Sequence, residues 1–257
     1  MANIKSQMAI SKYQMTNSQS IDHPHRTSTR HLPFDICHLR FGICHLSFVL
    51  GWLLAALGAA FAPWVDRAPA ALVLTAPDLA EFVKFLPEVR AGQLAVQRLA
   101  FLAPLFAVTF GLPFVVSSSR VALPAILRAL LLVASIPLAL TLLPPVWSPA
   151  VLLADEFRLQ TLACGLCLCL VVGSRWLRPA PFGPVAAGLS GLWAAGCILA
   201  LWQFHTAQAA VARAYASPIV PGWGAWATCI GCGLMIVGCA CAAKVQKDPV
   251  QARTGLT

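Results

Sequence analysis

The cysteines are the residues most able to do chemistry in this chain, which has ten of them among 257 residues. Two pairs, Cys164-x-x-Cys167 and Cys229-x-x-Cys232, have the spacing of a dithiol redox centre or of half a zinc site. Near the start, Cys37-His38 and Cys44-His45 place thiols beside imidazoles in the same register. All such chemistry needs thiolates. However, Cys164, Cys167, Cys169, Cys197, Cys229, Cys232, Cys239 and Cys241 lie in apolar stretches with no His or carboxylate beside them. Charge is costly in such a setting, and a buried thiol behaves as a small apolar side chain. These cysteines are therefore expected to pack helices. The narrower alternative is a cluster between the fourth and sixth apolar stretches.

The remaining candidates are sparse. His205 is the only histidine after the first 45 residues, so a bis-histidine haem site is not expected. Asp155 and Glu156 are adjacent, which turns them to different faces of a helix, and solvation is their expected role. Arg128 and the prolines Pro104, Pro113, Pro124 and Pro137 could belong to a transport path, but no carboxylate in any apolar stretch pairs with Arg128. The chain has no glycine-rich phosphate loop, and no serine, histidine and acid set can be assembled in its apolar stretches. No catalytic, cofactor-binding or metal-ligating residue is predicted, and the chain is expected not to be an enzyme.

Composition dictates what must hold these residues. Hydrophobic residues make up 59% of the chain, charged residues only 11%, and the mean hydropathy is +0.76. A soluble core of this size cannot hide so much apolar surface, so lipid must be the solvent for much of it. Lipid offers the backbone no hydrogen bonds, and the apolar stretches lack the period-two alternation of barrel strands. The expected fold class is all-α: an integral membrane bundle of about six transmembrane helices over residues 48–243. Its spans are predicted at 48–65, 99–116, 121–143, 159–174, 184–203 and 223–243. Residues 244–257 form a cytoplasmic tail. The first span also has the outline of a signal peptide, with Arg40 before an apolar run and Ala60-Phe61-Ala62 as a cleavage site.

The net charge of +9 is not arranged as a nucleic-acid-binding stripe. Arg120, Arg128, Arg175, Arg178, Lys244, Lys247 and Arg253 flank one side of the spans. The other side holds Arg67, Lys84, Arg90, Arg98, Arg158 and Arg213 together with Asp66, Asp78, Glu81, Glu88, Asp155 and Glu156. Cations in short acid-free turns face the cytoplasm, which predicts a plasma-membrane protein with both termini inside. In the first outer loop, Thr75-Ala76-Pro77-Asp78 reads as a helix start, with Thr75 as N-cap and Pro77 at the first helical position. Leu79, Phe82, Val83 and Leu86 then form one apolar stripe, predicting a short amphipathic helix lying flat on the outer membrane face.

Small residues at four-residue spacing mark packing faces: Gly183, Ala187, Gly191 and Ala195; Ala227 with Gly231 and Gly238 with Ala242; Gly51, Ala55 and Ala59. These close the bundle or receive another membrane subunit. Trp147, Trp176, Trp202, Trp223 and Trp226 fall near predicted interfaces. The pattern resembles that of small bacterial multi-pass membrane proteins, a likeness that supplies no residue roles. The expected function is a non-enzymatic structural, accessory or regulatory membrane subunit. The alternative is a transporter or permease component.

Residues 1–47 read as a disordered polar tail. Lys5-Ser6-Gln7-Met8 and Lys12-Tyr13-Gln14-Met15 repeat with the same period as His38-Leu39-Arg40-Phe41 and His45-Leu46-Ser47-Phe48. Reverse-complementing Met, Gln and Lys codons gives His, Leu and Phe or Leu, so the region reads as a translated inverted repeat, with native synthesis starting near Val49. Mass spectrometry of the native N-terminus is expected to find no abundant peptides from residues 1–40; finding them would overturn the late start.

Overall fold

A computed structural model describes residues 32–65, 73–119, 121 and 123–245. The sequence predictions about residues 1–31 and 246–257, about the Cys37 and His38 side chains, and about Asp66, Arg67 and Arg120 lie outside the described residues. The chain divides into units Met1–Leu39 and Arg40–Thr257. Of the first unit, the described part is helical; the second is a helical bundle.

The helices are α1 (Leu32–Ala60), α2 (Ala76–Phe82), α3 (Pro87–Arg90), α4 (Ala103–Ser117), α5 (Ala125–Leu140), α6 (Pro149–Leu153), α7 (Asp155–Val172), α8 (Phe182–Ala214) and α9 (Trp223–Val245). Short 3-10 turns at Arg98–Leu102 and Gly173–Leu177 extend α4 and α7. Among the described residues, five helices are long and apolar enough to cross a bilayer: Ile43–Ala60, Arg98–Ser117, Asp155–Leu177, Phe182–Ala214 and Trp223–Lys244.

The differences from expectation have local causes. Residues 32–47, expected to be disordered, are helical, and α1 begins well before residue 48. The third expected span is only the 16-residue α5, about 24 Å long at 1.5 Å per residue. Pro124 sets its start, Pro137 interrupts its hydrogen bonding, and the chain turns at Thr141. Arg128 consequently sits in the first turn of α5, not two turns inside a span. The fourth span gains length at its start, beginning at Asp155. The fifth is a 33-residue helix, about 50 Å long, and so overhangs a hydrocarbon layer of roughly 30 Å.

The helix α4 is the centre of the bundle. It packs against α5, α7 and α8, and 72% of its apolar window is buried, against 17% for α7. Leu105, Val108, Leu112, Val115 and Val116 bury its several faces, as expected of a helix that is hydrophobic all round. Pro113 cannot give an N–H to the carbonyl of Thr109. From α8, Trp193 fills the space beside this stretch: its Nε1 donates to the Ala107 carbonyl at 2.9 Å. A Cβ on Gly111 would meet the Trp193 ring at 2.9 Å. Phe48 of α1 packs on the same indole, with ring centroids 6.3 Å apart. One side chain thus joins three helices.

The small-residue faces of α1 and α9 close on each other. A Cβ on Gly51 would lie 2.7 Å from the Gly231 carbonyl oxygen, one on Gly58 2.6 Å from the Thr228 nitrogen, and one on Gly238 2.9 Å from the Cys44 carbonyl oxygen. Only glycine lets the two backbones approach so closely. Since α1 contributes Phe48, Trp52, Ala55 and Ala59 to the core, cleavage as a signal peptide would remove one wall of the bundle.

Residues 73–98 form a cap over one end. Leu74 pairs with Val65 in an isolated antiparallel bridge. Thr75 accepts from the Asp78 backbone N–H at 3.3 Å, and the Asp78 carboxylate accepts from the Thr75 N–H at 3.1 Å, completing a capping box; Pro77 is at the second helical position. The apolar stripe does not rest on a bilayer as expected. Leu79, Val83 and Leu86 are buried in the protein's own core, where they are removed from water more completely than a membrane surface would allow.

The central wedge gives a stability test. Trp193→Ala is expected to cost about 3–5 kcal/mol, and Gly111→Val about 1–3 kcal/mol through overpacking. Reversible unfolding in detergent micelles measures both.

Candidate functional site

Where the cap meets the bundle, four charges from three segments converge. Lys84 lies 2.5 Å from Glu81 and 2.8 Å from Glu156. Arg98 lies 2.9 Å from Glu81 and 3.7 Å from Glu156, and also donates to the Glu156 backbone carbonyl. Both cations face the Phe157 ring, Lys84 Nζ at 5.0 Å and the Arg98 guanidinium at 4.7 Å from its centroid. The Arg98 side chain is only 13% exposed, so its charge depends on these partners. Burial works against the charge of Lys84, but hydrogen bonds with Glu156 and Glu81 outweigh it and hold the ammonium pKa above its ordinary value.

The overhanging turns of α8 make the second clasp. Arg213 binds Glu88 at 2.8 Å, and Tyr215 stacks on Phe82 with centroids 5.6 Å apart. The Gln203 side-chain oxygen accepts from the Gln97 backbone N–H at 3.1 Å. The Glu88 carboxyl is held below its usual range by its own backbone N–H and by Arg213.

Two cations matched to two carboxylates leave no acid, base or nucleophile in excess, so the chemistry of this cluster is a clasp that ties cap to bundle. Glu156, expected to be only solvated, is one of its members; Asp155 is exposed. The pairing spans 72 positions between Lys84 and Glu156. Such a separation leaves no periodic trace, and the only sequence signal was that both signs of charge collect in the same two loops.

Beside the clasp lies a half-open apolar cleft of about 250 Å³ between the start of α4, the end of α5 and α7. Leu99, Phe106, Leu142, Leu159 and Ala163 line it, with Gln160 as the one polar residue.

The cysteines divide differently from the sequence pairing. Cys197 of α8 lies beside Cys229 and Cys232 of α9, so the cluster joins the fifth and sixth expected spans, not the fourth and sixth. Cys44 of α1 meets Cys241 of α9. All are free thiols. Among the described residues no group of three or more His, Cys, Asp or Glu side chains could hold a metal ion. His205 is exposed on α8. Arg128 is half-buried, and its Nε has no hydrogen-bond partner among the described residues.

The other notable surface is the stripe Gly183, Ala187, Gly191 and Ala195 on α8. All four are exposed, and a Cβ on Gly183 or Gly191 would meet nothing within 4 Å. Ile198 and Trp202, 67% and 69% exposed, continue the same face.

Comparison with protein-family models, with curated proteins and with solved structures finds no match to this chain.

The clasp sets a pH window. Lys84, whose pKa is raised on folding, contributes stability below its unfolded value and loses it as pH rises through the folded one. Glu88, whose pKa is lowered, contributes above its unfolded value and loses it as pH falls through the folded one. Amide exchange over residues 76–90, taken relative to the unprotected rate at the same pH, is therefore expected to be slowest between the two titrations. Arg98→Met is expected to speed it at every pH in that window, as removal of a charged hydrogen-bond partner costs about 1.5–3 kcal/mol.

Proposed function

We propose that this chain is a non-enzymatic accessory or structural subunit of a plasma-membrane assembly, docking on a second membrane protein through the small-residue face of α8. One observation carries the reading: Gly183, Ala187, Gly191 and Ala195 lie side by side on the surface with open space before them. The like residues of α1 and α9 are consumed in an internal seam. In lipid, helices associate through close packing of small residues, not through a hydrophobic drive. An unfilled groove of this kind supports a partner helix as its occupant.

The same reading gives the chain six crossings and places both termini in the cytoplasm. Arg98, at the start of α4, pairs with Glu156, at the start of α7. The chain between them must therefore return across the layer, and α5 is the segment that does it. Its short length is accommodated by local thinning and by Arg128 reaching back to the inner headgroups. Arg128, Arg175, Arg178 and Lys244 then share one end, and the acids of the cap and of α7 share the other.

The alternative, a permease component, finds less support. Of the two helices that carry its candidate residues, α4 is buried on several faces by apolar side chains.

Gly191→Leu together with Ala187→Leu is expected to leave the unfolding midpoint in micelles unchanged, while abolishing a co-purifying membrane protein in mild detergent. A wild-type chain that purifies as a lone monomer would overturn the reading.

A further inference from the structure

We propose that the first turn of α5 holds the phosphate of an anionic phospholipid, with Arg128 as its counter-charge and one acyl chain lying along Ile126, Leu130 and Val133. The argument begins with a contrast between two partly buried cations. Arg98, whose side chain is 13% exposed, has Glu81 and Glu156 against it. Arg128 is half-buried too, yet no ion pair, hydrogen bond or ring contact among the described residues includes it, and its Nε is shut off from solvent without a partner. A charge in that setting needs an opposite charge within reach. The described carboxylates are too far away to supply it. Asp78, Glu81 and Glu88 belong to the cap, and Asp155 and Glu156 to the start of α7. Glu156 lies beside Arg98 at the start of α4, whereas Arg128 follows the end of α4.

The helix adds a second attraction. Pro124 is its N-cap and makes no side-chain hydrogen bond there, so the N–H groups of Ala125, Ile126 and Leu127 have no acceptor within the helix. They form the positive end of the helix dipole, and a side chain at Arg128 leans toward that same end. Pro124, Ala125 and Ile126 are exposed, so a phosphate reaches these donors from outside. Ile126, Leu130 and Val133, 76%, 60% and 62% exposed, then follow one another down one face of α5. An acyl chain covers this apolar track, which free phosphate would leave bare. Net charge selects among lipids. In the six-crossing reading, Arg175, Arg178 and Lys244 share this end with Arg128, and none of the described acids does. The choline of a zwitterionic head would meet only cations there, whereas phosphatidylglycerol brings one uncompensated negative charge. The proposal rests on the six-crossing reading for the leaflet that supplies the lipid, and the small-residue face of α8 plays no part in it.

The test reads lipid adducts on the full chain by native mass spectrometry, after release from micelles containing equimolar phosphatidylglycerol and phosphatidylcholine. This measurement is indifferent to sidedness and to a partner subunit, so its failure leaves the topology and the α8 face standing. The wild-type chain is expected to retain phosphatidylglycerol about fivefold over phosphatidylcholine, the ratio that one anion at a helix start supplies, and to keep it in excess inorganic phosphate. Arg128→Gln is expected to bring the ratio to parity, and Arg128→Lys to preserve it. If Arg128→Gln fails to fold, Ala125→Glu makes the same test. An acid three residues before Arg128 answers its charge from within the helix and favours the helix start, and it too is expected to bring the ratio to parity. Arg178→Gln, which removes an exposed cation from the same end, is expected to leave the ratio as it is. Equal retention of the two lipids by the wild-type chain, loss of the adduct in excess phosphate, or an equal fall in Arg178→Gln and Arg128→Gln would overturn the proposal.

Discussion

The contact on which the bundle turns is the indole of Trp193 lying against Gly111 and donating to the Ala107 carbonyl. The constraint behind it is that a bilayer satisfies no backbone polar group, so each must find its partner within the protein. A proline in the middle of the central helix weakens the local ladder, and a large ring from a neighbouring helix covers the same stretch. Because Phe48 packs on that ring as well, the positions of α1, α4 and α8 are set together. A glycine at 111 is the condition for this: any Cβ there would compete with the ring for the same space.

Close approach recurs along α1 and α9, where glycines allow carbonyl oxygens of one helix to touch the backbone of the other. Hydrophobicity supplies no attraction between helices already in hydrocarbon, so cohesion must come from contact density. Seen this way, the two groups of small residues are the same device in two states. One is filled by a partner within the chain. The other, on α8, remains open on the surface, and this difference is the strongest functional signal in the molecule.

The cap follows from a different balance. Helix α8 is longer than the hydrocarbon layer it would cross, and its extra turns stand outside to hold residues 73–98 through Arg213–Glu88 and Tyr215–Phe82. The stripe of Leu79, Val83 and Leu86 is then drawn inward. At the other side of the cap, Lys84 and Arg98 meet Glu81 and Glu156 over the Phe157 ring. Charges that would be worth little in open solvent are here partly buried and interlinked, which makes the clasp sensitive to pH from both directions.

The sequence by itself determined the helical class, the rough position of every apolar segment, the capping box at Thr75 and the small-residue seams. These depend on local properties: hydropathy over a turn or more, and side-chain chemistry within four residues. Only tertiary structure decided which seam closed and which stayed open, because Gly51 and Gly191 look alike along the chain and differ only in what faces them. It also decided that α8 overhangs, that Glu156 is paired, and that Cys229 and Cys232 face Cys197. Composition could not locate the cleft beside Gln160 either, for an empty volume belongs to no residue; it arises where the ends of α4, α5 and α7 fail to fill the space between them.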